Sequence, residues 1–140
     1  MKILVDLNVL MDVLQRREPF FAPASALCEW GQNRSCHLAI PAHAITTISY
    51  IVRKSAGAKA ESAAMDWLLS DFEIIPANAE VFRNARALGM DDFEDAVVAA
   101  SAEAAKCDHI ATRNVADFAK SKVPAIHPAD FLASYSIKHS

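Results

Sequence analysis

Residues 2–14 read KILVDLNVLMDVL. Ile3, Leu4 and Val5 make a short apolar run of strand formers that ends on the carboxylate of Asp6, as a buried parallel strand does at the sheet edge. Val9, Leu10, Val13 and Leu14 follow at helical spacing, and Asn8 is a suitable N-cap. The stretch predicts a strand that runs into a helix with almost no loop and leaves a carboxylate at the junction.

The same alternation continues outward. EPFFAPASALCEWGQNRS, residues 18–35, reads as a turn through the prolines and a helix from Ala24 to Trp30 closed by Gly31. CHLAI is a second strand stopped by Pro41, and AHAITTISYIVRKSAG is a helix by the spacing of Ile45, Ile48, Ile51 and Val52, broken at Gly57. AKAESAAMDWLLSD continues as helix, FEIIP as a third strand, and NAEVFRNARALG and DFEDAVVAASAEAAKC as two helices. DHIATRN supplies a fourth strand ending near Thr112, VADFAKS a short helix, and the remainder a strand fragment and a helix from near Pro128. Strands alternating with helices predict a three-layer α/β/α sandwich with a mainly parallel central sheet. In such sheets the ligand crevice lies beyond the carboxyl ends of the strands.

A length of 140 residues, 53% hydrophobic and with 3 Gly, suits one domain spanning residues 1–140. The net charge of −3 gives no global attraction for polyanions, so nucleic-acid binding would need a local basic patch or bridging cations. Cys28, Cys36 and Cys107 fall at unrelated spacings, which fits a reducing cytoplasm. Asp6 and Asp12 interrupt any signal-peptide core, and no apolar run is long enough for a membrane span. Glycine-rich phosphate loops, G-x-S-x-G and paired zinc-ligand spacings are missing, which disfavours triphosphate hydrolysis, acyl transfer and zinc chemistry.

The chemistry lies in the acids. GMDDFEDAVVAASAEAA, residues 89–105, sets Asp91, Asp92, Glu94 and Asp95 at a helix start, where Asp92 is the expected N-cap and the helix dipole favours negative charge. Asp95 also shares a face with Val98, Ala99 and Ala102, so it points toward packed surface. Asp6 ends the first strand, and TRNVADF offers Thr112, Asn114 and Asp117 after the fourth. Three chain segments thus bring oxygen ligands to one sheet edge, which is what Mg²⁺ or Mn²⁺ needs to support phosphodiester hydrolysis. Asp91 and Glu94 read as solvated neighbours and Asp12 as a surface charge. Asn114 reads as a cap, and His43 falls on the crevice side.

These segments resemble the PIN-domain family, and especially the VapC-like ribonuclease toxins. ILVDLNVLMDVL resembles the opening strand and its D-x-N motif, DFEDAVVAASA the central acidic helix start, and IATRNVADF the T-R-N/D-x-x-D-F segment. The resemblance implies a metal-dependent ribonuclease, the toxin of a type II toxin–antitoxin pair, with Asp6, Asp95 and Asp92 as metal ligands. Asp117 or Asn114 would fill the fourth acidic position. It further implies an RNA substrate, a small antitoxin partner and, in many members, a homodimer. Asn8, Thr46, Thr112, Arg113 and Asn114 are the candidate substrate-side residues, with Arg113, Arg53 or Lys54 available to phosphates. One departure stands out: many relatives carry a glutamate in the helix after the second strand, whereas no Asp or Glu occurs here between Glu29 and Glu61, and Thr46 or Thr47 takes that place. A hydroxyl adds no negative charge, so the alternative is a catalytically weak or inactive PIN-fold module that binds RNA or a protein. Asp6-Leu7-Asn8 disfavours a haloacid-dehalogenase-like phosphatase, which wants D-x-D, and Ile75-Pro76 disfavours a phosphate-receiver domain.

Overall fold

The computed structural model describes residues 1–33 and 36–139. Its elements in chain order are β1 (Lys2–Val5), α1 (Leu7–Leu14), α2 (Phe21–Asn33), β2 (His37–Pro41), α3 (Ala42–Ala56), α4 (Ala58–Asp71), β3 (Glu73–Ile75), α5 (Ala79–Ala87) and α6 (Phe93–Ala104). There follow β4 (His109–Ala111), a 3₁₀ turn (Val115–Phe118), β5 (Ala125–Ile126) and α7 (Pro128–His139). The five strands form one sheet in the order β3-β2-β1-β4-β5, every neighbouring pair parallel.

The period-two alternation of the strands divides the core between the two faces. Ile3, Val5, Leu38, Ile40 and Ala111 face Leu10, Leu27, Ile48, Leu68 and Phe131, drawn from α1, α2, α3, α4 and α7. Leu4, Ala39, Ile75 and Ile110 face Val98, Ala99 and Ala102 of α6. The opposite side of α6 buries Ala96, Val97 and Ala100 against Val81 and Ala85 of α5. Small residues suit α6 because it is covered from both sides and must approach the sheet closely.

Two crossovers, through α1–α2 and α3–α4, carry the chain from β1 outward to β3, and α5–α6 then return it across the other face to β4. The strand order therefore reverses between β1 and β4, and the crevice at such a switch point is where α/β sheets bind ligands. No helix among the described residues is long and apolar enough to cross a membrane.

Several local expectations are corrected. The N-cap of α1 is Asp6, whose side chain accepts from the Leu7 N–H, and Asn8 already lies inside the helix. The second helix runs from Phe21 to Asn33, and Gly31 is an interior residue of it. A Cβ at Gly31 would come within 2.6 Å of the Leu38 side chain, so this glycine exists for close approach of α2 to β2. Arg34 and Ser35, with which that stretch was read to end, lie outside the described residues. Asp12 is no surface charge: it is 1% exposed.

Candidate active site

β1 delivers Asp6 to the switch point, where its N–H still bonds the Ala111 carbonyl across the ladder at 2.9 Å. The Asp6 Oδ1 accepts from the Leu7 N–H at 2.8 Å, while Oδ2 accepts from the Thr112 hydroxyl at 2.9 Å and the Asn8 amide at 3.3 Å. The network extends along the loop after β4. Asn8 Oδ1 accepts from the Arg113 N–H at 3.3 Å, and Thr112 Oγ1 accepts from the Asn114 N–H at 3.1 Å. Asp6 and Thr112 are both buried. Burial raises the pKa of Asp6, opposed by the hydrogen bonds from Thr112 and Leu7; the charge of Glu94 adds to the rise and His43 lessens it.

Across the crevice, Asp92 caps α6 by accepting from the Asp95 N–H at 2.9 Å. Between this helix start and the 3₁₀ turn lies a cleft of about 350 Å³ whose polar lining is Asp91, Asp92, Asp95, Asp117 and Lys120. Gly89, at φ +68, turns the chain into this segment, and its carbonyl accepts from Lys120 Nζ at 2.7 Å. The Asp95 carboxyl is pushed up to about 6, first by burial and then by the charges of Asp92, Asp6, Asp117 and Glu94. These acids share one electrostatic neighbourhood although they come from β1, α6 and the turn after β4. Asp117 lines the cleft, whereas Asn114 is absent from its lining and makes no side-chain cap bond.

Behind Asp6 lies a second charged centre. Arg113 donates to Asp12 through Nε at 2.7 Å and Nη2 at 3.2 Å, and its guanidinium carbon sits 4.0 Å from the centre of the Phe20 ring. This fork, with Arg17 at 4.0 Å from the same carboxylate, neutralises the buried Asp12. Arg113, expected on the substrate side, is therefore committed to Asp12. Its own backbone N–H is held by Asn8 Oδ1, so both ends of the residue between Thr112 and Asn114 are anchored on α1.

The PIN-domain family model matches residues 2–116. The chain belongs to the PIN-domain family. Among solved structures, this PIN domain resembles VapBC2 of Rickettsia felis bound to a promoter DNA fragment, at TM-score 0.68 and 18% identity over 91% of this chain and 98% of that one. It also resembles a toxin–antitoxin complex of Klebsiella pneumoniae, at TM-score 0.67 and 24% identity over 90% and 97% of the two chains. A third relative is VapC20 of Mycobacterium tuberculosis, a sarcin–ricin-loop-cleaving toxin, at TM-score 0.63 and 16% identity over 77% and 86%. No curated protein matches by sequence.

The helix in which this PIN domain lacks an acid is α3. The hydroxyls of Thr46 and Thr47 both turn back onto the His43 carbonyl, at 3.2 and 3.4 Å. Thr46 is exposed and lines a different cleft, with Ser49, Tyr50 and Arg53. His43, in the first turn, is the α3 side chain whose charge acts on Asp6, and its Nδ1 is enclosed without a hydrogen-bond partner.

The oxygen-only donor set suits a hard divalent cation, and the mutual repulsion that lifts Asp95 is what such an ion would relieve. Among the described residues no three of His, Cys, Asp and Glu are placed to hold an ion together, so the acids border the cleft without closing on a common point. Sequence reasoning missed Lys120 and the Asp12–Arg113–Phe20 cluster. The cluster left no signal in the sequence, because Asp12 and Arg113 are 101 positions apart.

Proposed function

We propose that this PIN domain is a divalent-metal-dependent ribonuclease that hydrolyses phosphodiester bonds, acting as the toxin of a type II toxin–antitoxin pair. The observation that supports it most is that Asp92, Asp95 and Asp117, from α6 and the turn after β4, line one cleft at the sheet's switch point, where burial and then the charges of Asp92, Asp6, Asp117 and Glu94 push the Asp95 carboxyl up to about 6. Asp6 and Asp95, with Asp92 or Asp117 from the rim, would hold Mg²⁺ or Mn²⁺, which when bound would polarise a phosphoryl oxygen and activate a water for in-line attack. Thr112 and Asn8 orient the Asp6 carboxylate through Oδ2 and leave its charge in place. Asp92 divides its role, since its Oδ1 caps α6 while the residue also lines the cleft. Lys120 sets a positive charge at the rim, where a phosphate would approach.

An antitoxin partner is supported by the fold's likeness to chains from toxin–antitoxin complexes. The test is RNA cleavage by the purified chain in Mg²⁺ or Mn²⁺, compared with Asp6→Asn and Asp95→Asn. Cleavage by the parent that both variants lose supports the reading; equal cleavage by all three sinks it.

A second reading, a binding module with little or no catalysis, is favoured by one observation: the acids do not close on a common point and α3 contributes none. It predicts no heat of Mg²⁺ or Mn²⁺ binding at millimolar concentration. The ribonuclease reading predicts measurable binding that Asp6→Asn and Asp95→Asn weaken.

A further inference from the structure

An open cleft of about 450 Å³ lies between α3 and the start of α4, lined by Thr46, Ser49, Tyr50, Arg53, Lys54 and Glu61. Tyr50 leaves 66% of its surface in water, so its ring is open to a ligand. The Lys54 ammonium sits 5.7 Å from the ring centre, and Arg53 makes an exposed ion pair with Glu61 at 3.6 Å. His43, Thr46, Tyr50 and Arg53 fall three or four residues apart, on one stripe of a helix whose first turn acts on Asp6. From His43 to Arg53 the stripe runs about 15 Å.

We propose that this stripe is a binding track for single-stranded RNA. Tyr50 stacks a nucleobase, Arg53 and Lys54 hold the phosphates on either side of it, and Thr46 and Ser49 meet polar edges of the same nucleotide. The identity of the ligand rests on the ribonuclease reading; the chemistry of the track rests on the cleft. Chains that bind single strands without reading sequence use this combination, an aromatic face for the base and cations for the backbone. A chain with net charge −3 whose reaction centre is lined by acids needs such a local positive surface to keep a polyanion near it. Arg53 and Lys54 also oppose the negative C-terminal end of α3, but that role does not require an exposed ring beside them.

The test is fluorescence anisotropy with a labelled single-stranded RNA of about 12 nucleotides in EDTA, which separates binding from cleavage. Tyr50→Ala and the double variant Arg53→Ala/Lys54→Ala are each expected to weaken binding about tenfold, and Tyr50→Phe to retain it. Unchanged affinity in Tyr50→Ala and in the double variant overturns the track, and leaves the ribonuclease reading standing if the parent cleaves RNA in Mg²⁺ or Mn²⁺. Parent binding that the variants lose, with no cleavage by the parent, sustains the track and removes the ribonuclease. A halved mass of Tyr50→Ala in light scattering would assign the cleft to a second copy of the chain and overturn the track. These side chains are exposed, so matching far-ultraviolet spectra are expected for all variants.

Discussion

Asp12 and Arg113 stand 101 positions apart in the chain and are joined by a two-pronged ion pair. The Asp12 side chain is 1% exposed, so its charge relies on that fork rather than on water. Phe20 closes one face of the guanidinium, which ties the loop before α2 to the end of β4.

Removing Arg113 leaves the buried Asp12 with only the longer Arg17 contact at 4.0 Å, and removing Asp12 leaves the guanidinium without its fork; breaking a buried pair from one side typically costs about 3–5 kcal/mol. Arg113→Ala should approach that range in urea unfolding, and Asp12→Ala somewhat less, because Arg113 can still reach water. The double variant should lose less than the sum of the two, because removing both charges leaves nothing unpaired. Arg113→Lys should fall between parent and Arg113→Ala, since an ammonium keeps the charge but not the fork. Additive losses would show that the two residues act independently.

Asp95 gives a pH dependence of defined sign. Its carboxyl lies at about 6 in the fold against an ordinary 3.8, so the native state holds its proton more tightly than the unfolded chain does. That preference is fully present below pH 3.8 and is lost as pH rises through about 6. Asp95→Asn removes the ionisation and keeps the backbone N–H that Asp92 caps. The variant should match the parent near pH 4 and exceed it at pH 7.5 by about 1 kcal/mol, a value reduced for the solvent exposure of the site. Denaturant melts at the two pH values check this, and equal differences at both would contradict it.

The candidate site was legible wherever a local rule and a topological rule pointed to the same residue. Asp6 ends an apolar run and also follows a strand in a parallel sheet; Asp92 starts an apolar helix and bonds its own third residue. Asp12 was misread because its partner is remote, and no spacing along α1 says that an arginine after β4 will arrive over it. Asn8 was misread for the opposite reason. Both Asp6 and Asn8 are good caps, and the strand's end decided which one took the role, freeing Asn8 to bridge Thr112 and Arg113. Gly31 looked like a stop signal because glycine most often ends helices, whereas here the proximity of Leu38 sets its identity.

Gly31→Ala separates those two roles. Alanine is the better helix former by about 1 kcal/mol, so a solvent-exposed interior glycine would gain stability from the change. Here the new methyl would meet three carbons of the Leu38 side chain at 2.6–2.8 Å. Overpacking of this kind costs about 1–3 kcal/mol, so a net loss in chemical unfolding is expected. Adding Leu38→Ala should make Gly31→Ala far less harmful than it is in the parent background.

Divalent cations should stabilise the fold through the same carboxylates that destabilise one another without them. Asp95 is raised first by burial and then by Asp92, Asp6, Asp117 and Glu94, and an ion seated among them would remove the part that is repulsion, which is present only in the native state. A ligand at ten times its Kd stabilises by about 1.4 kcal/mol, which moves the Tm of a domain this size by about 3–5 °C. At pH 7.5, millimolar Mn²⁺ or Mg²⁺ should therefore raise the parent's Tm, and Asp6→Asn or Asp95→Asn should abolish most of the rise. Potassium at matched ionic strength should not reproduce it, since screening alone acts on all exposed charges alike. The rise should fade toward pH 5, where Asp95 takes up its proton and competes with the ion. A shift that persists in both variants would place the ion elsewhere on the molecule and remove the electrostatic argument for the site.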